Sequence, residues 1–385
     1  MLASNIENKD LIDIRISVVC PWFLWGDAVG HSSFDYYRAL KGIGFKNVRG
    51  IGTRNDFPDM DFEHCETVDE LEKNAWFNAS DLVIYHFAIY HEYFEILKKD
   101  KHGRHVICFH NVTPKHLTPE SIWHVIDKSF AQIALFKYAD AIWVDSRENE
   151  EELKRQGIIN TPITEISIPV ERPPLTTILE KPSKRIDLLY VGRFFPSKGV
   201  TDLIEAIALL KQSSSYPFLL RLVGNTDFSD PGYVSEVKSK IGLYGLGEYI
   251  DFVGKVDENT LARLYKCSHI FVIASYHEGF CVPVIEALRA GMVPVTYNAG
   301  NLRWIASGNG RTVETGNIKA LATSISEVIN GLANSFNDAD GFVLPLEKGM
   351  KSSRQFSAEV QEYSTGFSFD CFAGRLSQAI SELFS

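Results

Sequence analysis

Cysteine is sparse and scattered. Cys20, Cys65, Cys108, Cys267, Cys281 and Cys371 form no C-x-x-C pair, which argues against a zinc site or a disulfide framework. Cys20 and Cys108 end apolar strand-like runs, where a free cysteine behaves as a small hydrophobe. No apolar run reaches the roughly 20 residues of a membrane span. Charges interrupt MLASNIENKDLIDIR, where a secretory leader would place its apolar stretch. A polybasic block is missing too. With a net charge of −10, no nucleic-acid partner is expected, because phosphate backbones are gripped by a basic face. G-x-G-x-x-G and short tandem repeats are also absent. What is present is a long chain of 385 residues, 45% hydrophobic. One core rarely organises that length, so two domains in a reducing, cytoplasmic setting are expected.

Apolar strand-like runs alternate with helical patterns along both halves. In the first half they are Ile14–Val19, a short run at Val48, Asp81–His86, Arg104–His110, Ala141–Val144 and Thr164–Ile168. In the second they are Ile186–Val191, Phe218–Val223, Ile250–Val253, Phe271–Ala274 and Val293–Thr296. Such alternation predicts an α/β chain of two doubly wound parallel sheets. The stretch 168–184, IPVERPPLTTILEKPSK, has four prolines and no periodicity and reads as a linker. The expected division is therefore 1–170, linker 171–185, a second domain 186–365 and a terminal helix 366–385. In that helix Phe369, Phe372, Leu376, Ile380 and Leu383 recur by threes and fours, an apolar face for packing on protein.

In doubly wound sheets ligands bind beyond the carboxyl ends of the strands. That rule selects a few loops. After the first strand come Gly26 and Gly30, then a helix. His110 and Asn111 follow another strand, and His86 ends the one beside it more weakly. In the second half, Arg193 and Lys198 lie between a strand and a helix start, a setting that suits a pyrophosphate. Glu278, Gly279, Phe280, Cys281 and Val282 separate Phe271–Ala274 from a helix near Pro283, and Glu286 falls inside that helix. Asp59-Met60-Asp61 and Asp338-Ala339-Asp340 are formal D-x-D triplets, but acidic loops are commonly just solvated. No metal site is expected.

The segments VGRFFPSKGVTDLIEAI and HEGFCVPVIEALRAGMVPV resemble the family four retaining glycosyltransferases, which have the two-Rossmann GT-B fold. The likeness extends to FHNVTP, ADAIWVDSRENEEELKRQG and FSFDCFAGRL. It implies a retaining, metal-independent transfer of a hexose from a nucleotide diphosphate sugar, the co-substrate, to a glycan, lipid-linked or other hydroxyl acceptor. Under it Glu278 meets the donor sugar and Glu286 the ribose. Arg193 and Lys198 hold the diphosphate with the backbone of Gly279–Val282, His110 lies beside the transferred sugar, and the Gly26–Gly30 loop covers the phosphates. The terminal helix returns to the first domain. Polysaccharide or other glycoconjugate synthesis follows by association with the family, with at most weak peripheral contact at the inner membrane face. Cys281 stands where the family usually has glycine. Another GT-B reaction, such as that of an epimerase or a phosphorylase, and a non-catalytic sugar-nucleotide-binding protein are the alternative readings.

Overall fold

The computed structural model describes residues 12–99, 102–181, 184–214, 216–333 and 343–385. The chain divides into two compact units: Met1–Pro169 with Phe367–Ser385, and Val170–Gly366.

In the first unit β1 (Arg15–Val19), β2 (Asn47–Gly52), β3 (Phe62–His64), β4 (Leu82–Phe87), β5 (Arg104–Phe109), β6 (Ala141–Val144) and β7 (Ile163–Glu165) form one parallel sheet. The order is β3-β2-β1-β4-β5-β6-β7. Helices cover both faces, so both sides of each central strand are apolar. Ile16, Val18, Leu82, Ile84, Val106, Cys108 and Trp143 line one core. Val19, Val83, Tyr85, Phe87, Ile107, Phe109, Ile142 and Val144 line the other. The edge strand β3 was not legible in the sequence, because only its backbone pairing defines it.

The first core is closed by α1 (Ala28–Ile43) and by the terminal helix Phe369–Phe384. Phe372, Leu376 and Ile380 are buried there, with Phe369 and Leu383 partly so. Burying those three side chains contributes about 1.5–3 kcal/mol each, which is why this segment groups with the first unit.

The second unit has β8 (Ile186–Val191), β9 (Phe218–Val223), β10 (Ile250–Gly254), β11 (Ile270–Ile273), β12 (Val293–Tyr297) and β13 (Arg311–Val313), all parallel. Their order is β10-β9-β8-β11-β12-β13. In each sheet the strand order reverses beside the first strand, between β1 and β4 and between β8 and β11. Those are the switch points where loops diverge and leave a crevice.

Residues 171–181, in the stretch expected as a linker, pack on the second unit. Arg289 donates to the carbonyls of Glu171 (2.8 Å) and Pro173 (3.1 Å), and the Thr176 amide donates to the Arg289 carbonyl at 2.9 Å. Prolines remove donors but keep their acceptors, so an arginine can strap such a segment down. Lys181 is buried, with Nζ donating to the Tyr265 and Lys266 carbonyls at 3.2 Å each. Those carbonyls lie in the last turn of α4 (Glu258–Cys267), and burial lowers the lysine to about 7. No described helix is long and apolar enough to cross a membrane.

Candidate functional site

At the switch point of the second unit, β8 ends in Gly192–Gly199 and α3 (Val200–Ser213) follows. β11 ends in residues 274–281 and α5 (Val282–Arg289) follows. The two loops are tied by the Tyr276 amide donating to the Ser197 carbonyl at 2.8 Å. They bring together two residues 80 positions apart: Lys198 Nζ donates to Glu278 Oε1 at 2.8 Å. The side chains are 21% and 11% exposed, so the pair is sheltered yet reachable.

Gly199 makes this approach feasible. Its backbone is left-handed (φ 60°), and a Cβ there would meet the Ala274 carbonyl oxygen at 1.9 Å. Asp202, in the first turn of α3, accepts from the hydroxyls of Tyr276 (2.6 Å) and Tyr297 (2.8 Å) and so fastens three strand-end segments. Arg193 is exposed on the same loop as Lys198, its guanidinium over the Phe195 ring at 5.4 Å.

The Glu278–Val282 turn is clamped from the next loop. The Asn301 amide donates to the Glu278 carbonyl at 2.9 Å, and its buried side chain donates to the Phe280 carbonyl at 2.9 Å. Gly300 lets that loop close, since a Cβ there would lie 2.3 Å from the Glu278 carbonyl oxygen. Cys281 sits at φ 74°, ψ 67°, a left-handed conformation that explains why glycine suits the position. Its thiol is buried, and desolvation first, then Glu278, raises it well above the ordinary value. It is not a thiolate nucleophile.

Glu286 lies one turn inside α5 and accepts from the Tyr265 hydroxyl at 2.6 Å. Burial raises its carboxyl to about 7, while the tyrosine bond acts in the opposite sense. The unfolded carboxyl titrates near 4.5, so the folded protein holds an extra proton between those values, and stability is lost as pH rises through that window. Glu286→Gln keeps the acceptor and removes the charge. Its Tm advantage over wild type should grow from pH 5 to pH 8, to about 2 kcal/mol in stability. A pH-independent difference in melting scans would contradict a Glu286 carboxyl raised in this way.

In the first unit, Gly26 (φ 82°) precedes α1, and Asp27 caps the helix by accepting from the Gly30 amide at 2.8 Å. Gly30 is therefore not in a loop. It lies in the first helical turn, where a Cβ would meet the Leu24 nitrogen at 2.5 Å and the Trp22 oxygen at 2.7 Å. Its lack of a side chain serves helix-to-chain packing. Asp59 and Asp61 point to solvent while Met60 is buried between them. Asp338-Ala339-Asp340 lies outside the described residues. Among the described residues no three His, Cys, Asp or Glu side chains cluster as metal ligands.

His110 is committed on both ring nitrogens. Nδ1 is 2.7 Å from Asp145 Oδ2, and Nε2 is 2.9 Å from Nδ1 of His86. The three residues end β4, β5 and β6 side by side. Asn111 follows at φ 75°, and its side chain donates to Asn149 Oδ1 at 2.9 Å. Ser146 caps α2 (Arg147–Arg155) by accepting from the Asn149 amide. Asp145, Asn301, Asp202 and Tyr265 were not singled out from sequence as site residues. The strand-end rule that selected His110 applies equally to Asp145 and to the Ala299–Asn301 loop.

Residues 172–337 match the family Glycosyl transferases group 1. The O-antigen chain mannosyltransferase B of Escherichia coli is 26% identical over 172 residues, 44% of this chain and 42% of that protein. The GDP-mannose:cellobiosyl-diphosphopolyprenol alpha-mannosyltransferase of Xanthomonas oryzae pv. oryzae is 28% identical over 155 residues, 39% of each. The chain thus matches less than half the length of these curated relatives. Among solved structures, sucrose-phosphate synthase from Thermosynechococcus elongatus has a TM-score of 0.74 at 18% identity, covering 96% of this chain and 99% of that one. Anabaena HepE in complex with UDP and glucose has a TM-score of 0.69 at 15% identity, covering 96% and 100%. At such identities the likeness speaks for the fold, which is GT-B.

Proposed function

We propose, from the match of residues 172–337 to the family Glycosyl transferases group 1 and from the GT-B fold, that the protein is a retaining, metal-independent hexosyltransferase. It moves a hexose from a nucleotide diphosphate sugar to an acceptor hydroxyl in polysaccharide, lipopolysaccharide or other glycoconjugate synthesis. The observation that carries this reading is the Lys198–Glu278 pair, 2.8 Å apart at the switch point, where a cation and a sugar-binding carboxylate are wanted together.

In the reaction Lys198 exchanges Glu278 for a phosphate oxygen of the donor. Arg193 and the start of α5 share the diphosphate charge. Glu278, released, accepts from sugar hydroxyls, and Glu286 accepts from the ribose. The departing phosphate takes the acceptor's proton on the face from which the sugar is delivered. The protein's own contribution is positional and electrostatic. The first unit carries the acceptor side, with His110 at its ligand edge.

GDP-mannose, suggested by the mannosyltransferase relatives, and UDP-glucose, suggested by the UDP and glucose held in HepE, are the first donors to test. One nucleotide sugar among UDP, GDP and ADP derivatives should raise Tm by mass action. Transfer should proceed undiminished in excess EDTA. A flat thermal-shift screen would overturn the donor assignment. A requirement for added manganese would overturn metal independence and return attention to Asp59 and Asp61.

A further inference from the structure

The carboxyl ends of β4, β5 and β6 hold a buried polar line made of His86, His110 and Asp145. His86 is 2% exposed, and its ring lies edge to edge with that of His110, the planes 10° apart and the centroids 5.1 Å apart. Tyr36 of α1 closes over His86 edge-on at 4.9 Å. His86 Nε2 is buried and has no hydrogen-bond partner in the protein.

These contacts restrict where the protons lie. A carboxylate only accepts, so the 2.7 Å contact with Asp145 puts a proton on His110 Nδ1. The 2.9 Å contact between His110 Nε2 and His86 Nδ1 needs one proton. If His110 supplied it, His86 would carry its own proton on the unpartnered Nε2. A buried orphan N–H is costlier than a bare acceptor. If His86 supplies the proton from Nδ1, its orphan atom is a lone pair. Burial and the neighbouring His110 also hold His86 well below the ordinary histidine range, that is, uncharged.

We propose that His86 is a positioning residue: its Nδ1–H, donated to His110 Nε2, holds His110 as the uncharged ring protonated on Nδ1. Asp145 orients the ring from one side and His86 fixes its tautomer from the other. With its one lone pair taken by His86, His110 is then held as a fixed, uncharged ring, not a cation, at the ligand edge of the first unit. Around the line stand Tyr36 of α1 and Cys108 of β5, which are paired with each other and both sense Asp145. Glu165 of β7 interacts with Asp145 and with Arg375 of the terminal helix.

The test uses the full chain. The tautomer half stands alone, whereas the catalytic half rests on the transferase reading. Nitrogen-15 imidazole spectra should show His110 protonated on Nδ1 and bare on Nε2. His86→Phe keeps an aromatic ring at the position but removes the donor. It should lower kcat/KM about tenfold and move the acid limb of its pH profile up by about half a unit or more. Asp145→Asn removes the charge that favours an imidazolium and should move that limb down. His86→Asn, whose amide nitrogen can stand in for Nδ1, should recover most of the His86→Phe loss. His110 protonated on Nε2, equal limb shifts in both variants, or His86→Asn behaving as His86→Phe would each overturn the proposal. An inactive wild type with the expected tautomer would support the proposal and overturn the transferase reading.

Discussion

Lys198→Ala should lower kcat/KM by about a hundredfold or more, the cost of removing one preorganised charge from a leaving group. A hundredfold is about 2.7 kcal/mol of transition-state stabilisation. The ground-state pair with Glu278 at 2.8 Å makes the substitution doubly harmful, because it also leaves a sheltered carboxylate facing the incoming diphosphate. The two effects can be separated. If Lys198 only neutralises Glu278, then Lys198→Ala with Glu278→Gln should recover activity; if Lys198 meets the diphosphate, the double variant should stay at least as impaired. Residues in contact couple in this way, and the double-mutant cycle measures the coupling. Steady-state kinetics with a saturating acceptor decides between them. Activity of Lys198→Ala within a few-fold of wild type would falsify a role on the leaving group.

The largest stability effect is expected at Gly199. An alanine there must adopt φ 60°, which costs about 1–2 kcal/mol for an L-residue. Its methyl would also fall 1.9 Å from the Ala274 carbonyl oxygen, forcing the β8 and β11 loops apart. A total loss of about 3 kcal/mol or more is expected, since overpacking adds typically 1–3 kcal/mol to the backbone term. For a chain of this size that corresponds to a fall in Tm of roughly 6 °C or more. Gly245 is the control: it has the same φ of 60°, yet an added Cβ would meet nothing nearer than the Lys211 ammonium at 3.8 Å. Gly245→Ala should therefore lose only the backbone term, about 1–2 kcal/mol. Equal melting shifts in the two variants would show that the Ala274 contact is of no consequence. Because Gly199 joins the loops bearing Lys198 and Glu278, its variant should also weaken donor binding.

Strand and helix periodicity in the sequence determined the two α/β units, because strands buried on both faces must be apolar throughout. The apolar face from Phe369 to Leu383 likewise determined that the last helix packs on protein. The strand-end rule picked out Arg193, Lys198, Glu278 and His110 as residues at ligand edges, since in a parallel sheet every such loop opens on one side. Tertiary structure alone decided which of them meet. The 80-residue separation of Lys198 and Glu278 is closed by the adjacency of β8 and β11, a non-local pairing that no local pattern encodes. It also decided that Gly30 serves helix packing, because only the folded chain brings Trp22–Leu24 against that turn. The proline-rich stretch belongs to the second unit because Arg289 reaches its carbonyls. The Asp145–His110–His86 line forms for the same reason, as three strands distant in sequence end side by side.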